Sequence, residues 1–131
     1  MPRRGPHMFT IEKTWSLDAA HSLPELPKEH KCSRVHGHTY RITLRLLGEL
    51  DSRGMVIDYG DLKPFGRYLN DQFDHRSLND TLGDQSTAER FAEHLFDLVP
   101  VLLDQVELIL TGNVVFEVGV SETPNTWAWC A

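Results

Sequence analysis

Cysteine is scarce in this sequence: Cys32 and Cys130 are the only two among 131 residues. A disulfide framework is therefore not expected to hold the fold. No charged-then-apolar leader opens the chain, so the expected compartment is a reducing cytoplasm in which both cysteines are thiols. Long apolar runs are missing too. They stop near five residues, whereas about 20 are needed to cross a bilayer, and a membrane is not an expected partner. There is no basic excess, with 13 Lys and Arg against 19 Asp and Glu and a net charge of −6. That balance argues against a general nucleic-acid binder, while leaving room for a local basic patch facing an anionic small molecule. Internal repeats, low-complexity tracts and linkers are also lacking. What remains is an ordinary globular composition, 40% hydrophobic and 24% charged, of a length that fits one domain. Such a chain buries about two-thirds of its unfolded surface, enough for a core without staples. Histidine stands out: there are seven, four of them between His21 and His38.

Residues 1–7, MPRRGPH, are expected to be disordered or introduced by cloning, leaving one domain over 8–131. From Phe9 the chain alternates, with Phe9, Ile11, Trp15 and Leu17 on one parity and Thr10, Glu12, Thr14, Ser16 and Asp18 on the other. This pattern, interrupted only by Lys13, predicts a half-buried strand. A second strand is predicted near 36–47, with Tyr40, Ile42, Leu44 and Leu46 on one face. A loop of two prolines and Cys32 joins them. One helix is expected from about Gly60 to Phe73, with Pro64 tolerated in its first turn. A second opens on a capping box, Ser86 as N-cap and Glu89 three residues later, and is kinked or ended by Pro100. Val106–Leu110, a turn at Thr111-Gly112-Asn113 and Val114–Val120 read as a closing hairpin. The order is ββααββ, an α+β fold with one antiparallel four-stranded sheet backed by two helices.

Parity also connects the histidines. His21 shares the face of Leu17, and His36 and His38 share the face of Tyr40. If the two strands pair antiparallel, all three imidazoles converge at one end of the sheet. Three neutral imidazoles with an open fourth position form the catalytic type of zinc site; two core histidines and a surface one are the plainer alternative. Cys32, flanked by Lys31 and close to Arg34, is open to three readings: a fourth ligand, a general base, or an inert loop residue. Asp74 beside His75 is either a carboxylate-tuned proton shuttle or a surface pair after a helix. Glu122 falls on the inward parity at a strand end, where it either accepts two hydrogen bonds from the edge of a pterin-like ring or is solvated.

Six segments occur in order: DAAH at 18–21, C-x₃-HGH-x-Y at 32–40, GMVIDYGDLK at 54–63, DHRSLN at 74–79, STAER at 86–90 and SET at 121–123. Together they resemble the 6-pyruvoyltetrahydropterin synthase family, and within it the 6-carboxytetrahydropterin synthase branch, over about residues 8–129. The resemblance implies the T-fold, with subunits closing a barrel of strands into a trimer or a dimer of trimers whose sites lie at interfaces. It implies zinc held by His21, His36 and His38, Cys32 as catalytic base, Asp74 and His75 as a proton relay, and Glu122 as pterin anchor. Thr87 and Ala88 match the positions that line the ring pocket. The C-x₃-HGH spacing is similar to that of the carboxy-forming bacterial enzymes. Departures are Ser86 for a usual proline, Arg90 for a common asparagine, and the ending WAWCA, where Cys130 matches no family role.

The expected activity is accordingly that of a zinc-dependent lyase acting on 7,8-dihydroneopterin triphosphate. Its products would be 6-carboxy-5,6,7,8-tetrahydropterin, acetaldehyde and triphosphate, on the way to queuosine and other 7-deazapurines. Lys31, Arg34 and Lys63 are candidate triphosphate contacts. The alternatives on the same scaffold are a 6-pyruvoyltetrahydropterin synthase or a dihydroneopterin-cleaving enzyme. From another class comes a non-catalytic metal- or pterin-binding protein, against which the intact set of Cys32, Asp74 and His75 speaks.

Overall fold

The alternating segments form the two long strands that organise the molecule. In a computed structural model, which describes residues 6–131, β1 (Phe9–His21) and β2 (His36–Gly48) pair antiparallel along their whole length, from Phe9 opposite Gly48 to His21 opposite His36. The expectation for the leader lies mostly outside the described residues; Pro6, His7 and Met8 are exposed. The register follows from the pattern, because a slip of one residue would turn Tyr40, Ile42, Leu44 and Leu46 out to water. All four are fully buried on the inner face. Burying each such side chain contributes about 1.5–3 kcal/mol, and four in one strand make β2 the spine of the sheet.

The helices cover that face. A 3-10 turn, Tyr59–Leu62, capped by the Asp58 carboxylate accepting from the Gly60 N–H at 2.8 Å, leads into α1 (Lys63–Gln72). Its Gly66 lets Trp15 lie against the helix, since a Cβ there would come within 2.5 Å of the indole nitrogen. After a single turn, α2 (Asn79–Leu82), comes α3 (Ala88–Leu102), which buries Phe91, Ala92, Leu95 and Val99 at helical spacing. Pro100 falls in the last turn of α3 and the helix stops soon after it.

Two expectations are corrected. The N-cap of α3 is Thr87, whose hydroxyl accepts from the Arg90 N–H at 3.1 Å, and not Ser86. Ser86 is fully buried and turned toward β1 instead. The closing hairpin is also placed differently. Val106–Leu110 contributes the short helix α4 (Glu107–Leu110), because Val106 and Ile109, three residues apart, are buried while Leu108 and Leu110 are exposed. The sheet is completed by β3 (Val115–Ser121), paired with β2, and by β4 (Ala128–Cys130), paired with β3. The strand order β1-β2-β3-β4 is antiparallel throughout, so the fold class stands while its fourth strand moves to the end of the chain.

The ending WAWCA thereby gains a structural role. Trp129 lies flat on Gly119, where a Cβ would meet its ring at 2.8 Å, and the Arg45 guanidinium sits 4.2 Å from its centroid. Arg45 in turn pairs with Glu12 at 2.9 Å and Glu117 at 2.7 Å, tying β1, β2 and β3 on the outer face. Cys130 is half-buried and packs against the core from the inner face. Among the described residues no helix is long and apolar enough to cross a membrane.

The corrected cap is testable. Thr87→Ala is expected to lower stability by about 0.5–2 kcal/mol in chemical denaturation, with Thr87→Ser close to the parent. An unchanged midpoint for Thr87→Ala would contradict the assignment.

Candidate functional site

The site forms where β1 ends and β2 begins. Register sets His21 opposite His36 and Ala19 opposite His38, and all three imidazoles project from the inner face. Their ligand nitrogens lie within 4.8 Å of one another, a set that could hold a metal ion. Backbone carbonyls fix the orientation of two of them. The Nδ1–H of His21 donates to the Ser86 carbonyl at 2.7 Å, and that of His36 to the Arg34 carbonyl at 2.7 Å. A carbonyl can only accept, so in each neutral ring the proton is on Nδ1 and Nε2 carries a bare lone pair. The two Nε2 atoms face each other at 3.1 Å. In that neutral pair neither Nε2 carries a proton, so the close approach suits a cation held between them. His38 completes the argument: its Nε2 is buried and has no hydrogen-bond partner, and burial holds its imidazole below the usual pKa despite nearby Glu122. A neutral ring with a free lone pair is what a metal requires.

Glu122, one residue after β3, brings its carboxylate to 3.9 Å from His21 Nε2 and 4.0 Å from His38 Nε2. It thus stands beside the imidazoles, where it would meet whatever part of a ligand sits at the metal. Tyr40 forms the floor, its ring 5.5 Å from that of His38 and 5.9 Å from that of His21. Its hydroxyl is buried without a partner, and burial together with the Glu122 charge raises its pKa.

The Asp74–His75 segment is stitched to the outer edge of β1. Asp74 Oδ1 accepts from the Asp18 N–H at 3.0 Å, and the His75 N–H donates to the Asp18 carbonyl at 2.6 Å. Ala20 then bonds Arg76 and Leu78 in a short parallel bridge. This edge pairing holds His75 at φ = 58°, a left-handed conformation that a non-glycine residue seldom adopts. The His75 imidazole is exposed, and its Nδ1 meets Asp74 Oδ2 at 2.9 Å. The hydrogen bond and charge of Asp74 raise the His75 pKa, while the Asp18 N–H and His75 lower that of Asp74. His75, His38, Asp18, Thr39 and Ser77 line a cleft of about 670 Å³. A second cleft of about 300 Å³ lies on the other side of His38, against Glu122 and Arg41.

The structure brings together His21, His36, His38 and Glu122, and places His75 in the cleft that reaches His38. Cys32 lies in the 3-10 turn Lys31–Ser33, half-buried, and lines neither cleft. Thr87 spends its hydroxyl acceptor on the α3 cap, with Ala88 next to it, half-buried. Lys31 and Arg34 are exposed in the Cys32 loop, whereas Lys63 lines a separate cleft with Arg67 and Gln105. Three contributors lay outside the sequence reading. Ser86 orients His21 through its carbonyl, and Tyr40 floors the site. Asn79 pins the residue after His21, accepting from the Ser22 N–H at 2.9 Å and donating to the Ser22 carbonyl at 2.8 Å. Asn79 closes the DHRSLN segment, and that was the available signal.

Two outcomes are expected. Calorimetric titration with a divalent metal should give one ion per chain, with affinity falling as pH falls because the imidazoles must be neutral to bind. His36→Ala should abolish it; binding that survives this change would place the metal elsewhere. Asp74→Asn should lower the His75 pKa toward the ordinary 6.5, measured by NMR titration. The Asp74 contact favours protonated His75, so its contribution to stability is complete below the ordinary value and is lost as pH rises through the raised one. An unmoved titration would show that the pair is not coupled.

Comparison with known proteins agrees with this geometry. The sequence profile of the family described as 6-pyruvoyl tetrahydropterin synthase matches residues 10–131. The chain is 34% identical to the 6-carboxy-5,6,7,8-tetrahydropterin synthase of Bacillus subtilis over 93% of its own length and 84% of that protein. It is 32% identical to a putative 6-pyruvoyl tetrahydrobiopterin synthase of Caenorhabditis elegans, covering 90% of this chain and 91% of the relative. The solved structure of the Caenorhabditis elegans 6-pyruvoyl tetrahydropterin synthase superposes with a TM-score of 0.76 at 29% identity, over 95% of this chain and 96% of that one. With the family profile, the sequence identities and the superposition in agreement over nearly the whole length, the chain belongs to the 6-pyruvoyl tetrahydropterin synthase family.

Proposed function

We propose that this lyase is zinc-dependent and converts 7,8-dihydroneopterin triphosphate and water to 6-carboxy-5,6,7,8-tetrahydropterin, acetaldehyde and triphosphate, a step toward queuosine. The observation that carries the metal part is the pair of Nε2 lone pairs facing each other at 3.1 Å. The carboxy-forming product is supported by the name of the Bacillus subtilis relative and by the C-x₃-HGH spacing. In this reading His21, His36 and His38 hold the ion. Bound there, zinc supplies Lewis acidity to a side-chain oxygen of the substrate.

The chain's own groups do the rest. The Cys32 thiolate takes the proton of the neighbouring C–H. His75, its pKa raised by Asp74, holds a proton at the cleft wall and delivers it as the carbon–carbon bond breaks. Glu122 binds substrate from beside the imidazoles, accepting hydrogen bonds there, and Thr87 and Ala88 line the ring pocket. Sites of this kind are completed by neighbouring copies in a trimer or a dimer of trimers, in a cytoplasmic enzyme.

A coupled alcohol dehydrogenase assay tests the product: acetaldehyde should appear in step with triphosphate. Triphosphate release without acetaldehyde would move the chain to the pyruvoyl-forming reaction. Cys32→Ala should keep its metal and lose about 10²–10⁴-fold in turnover, the usual contribution of a general base. Loss of metal from this variant would make the thiol a ligand instead.

A further inference from the structure

The loop between β1 and β2 gives Cys32 an unusual support. Within the 3-10 turn Lys31–Ser33 the local backbone bonds run from the Ser33 N–H to the His30 carbonyl at 3.0 Å and from the Arg34 N–H to the Lys31 carbonyl at 3.3 Å. The Cys32 N–H lies between them without a carbonyl partner. The imidazole of His30 takes it, its Nδ1 accepting at 3.1 Å. On the other side, the Cys32 carbonyl accepts from the Leu23 N–H at 2.8 Å. Leu23 follows Ser22, which Asn79 holds through both of its main-chain groups. Both backbone groups of Cys32 are thus tied, one of them to the segment that continues from His21. Among the described residues, the thiol itself makes no hydrogen bond.

We propose that His30 is a positioning residue, the cap that fixes the main chain of Cys32 so that its thiol is presented toward the histidine end of the sheet. The inference rests on the reading of Cys32 as the base. His30 does this as an acceptor, with its ring proton on Nε2, in the way an asparagine side chain closes a turn two residues ahead. It also receives the Ser33 hydroxyl on its carbonyl at 2.8 Å, so one residue closes the turn from both its side chain and its main chain. The acceptor matters and the ring does not. An exposed turn with an unheld N–H samples several conformations, and a base acts only within hydrogen-bond reach of its proton.

Three substitutions separate these features: His30→Ala removes ring and acceptor, His30→Phe keeps a ring without an acceptor, and His30→Asn keeps an acceptor without the ring. The first readout is hydrogen exchange of the Cys32 amide in the full-length, metal-loaded protein. It should quicken about tenfold in the Ala and Phe variants and stay near the parent in Asn, consistent with loss of one exposed hydrogen bond. The second is turnover, with kcat falling about tenfold in Ala and Phe at nearly constant KM and metal content, and recovering in Asn. An Asn variant as impaired as Phe would overturn the proposal, as would unchanged Cys32 exchange in His30→Ala. Full turnover in Cys32→Ala would instead remove the reading of Cys32 as base, while the exchange measurement would still report on the cap.

Discussion

Two hydrogen bonds from imidazole Nδ1–H groups to backbone carbonyls set the character of this site. Ser86 holds His21 and Arg34 holds His36, each at 2.7 Å, and the consequence is a pair of lone pairs pressed together at 3.1 Å. That arrangement is unfavourable by itself and becomes favourable only around a positive charge. The fold maintains it because the Ser86 anchor belongs to structure that packing already fixes. Ser86 is fully buried just before the Thr87 cap of α3, whose Phe91 and Leu95 lie in the core, while Arg34 lies two residues before β2 begins its long pairing with β1.

The same economy shapes the outer edge. Asp18 uses its N–H on Asp74, its carbonyl on His75 and its carboxylate on the Thr39 hydroxyl, so one strand residue positions the Asp74–His75 segment. The left-handed backbone at His75 is held by these bonds, and His75 lines the cleft beside Asp18 and Thr39. Strain of this sort persists where the surroundings over-determine it, and here the surroundings are the edge of β1 and the hydrogen bonds of Asn79.

Much of this was legible in the sequence, for identifiable reasons. Period-two alternation marks β1 and β2, and parity with antiparallel pairing then gathers His21, His36 and His38. The fourth strand was illegible because three residues, Ala128–Cys130, carry no period. Its place was given to Val106–Leu110, an apolar run too short for pattern to tell strand from helix. The cap slipped by one residue because Ser86 and Thr87 are both good caps, and only burial shows that Ser86 is used elsewhere. Asn79 and His30 went unread for a different reason. They act on main-chain groups, Asn79 across 57 positions and His30 within a turn, and such bonds leave no trace in periodicity.

The claim on which the account turns is that three imidazoles alone form the protein's share of the metal shell, with the thiol of Cys32 left free to act. X-ray absorption at the zinc edge, on protein loaded with one ion per chain, measures this directly. The expected result is nitrogen scatterers at about 2.0–2.1 Å with light oxygen neighbours and no sulfur. A sulfur shell at about 2.3 Å would contradict it, placing Cys32 on the metal and removing the base from the mechanism.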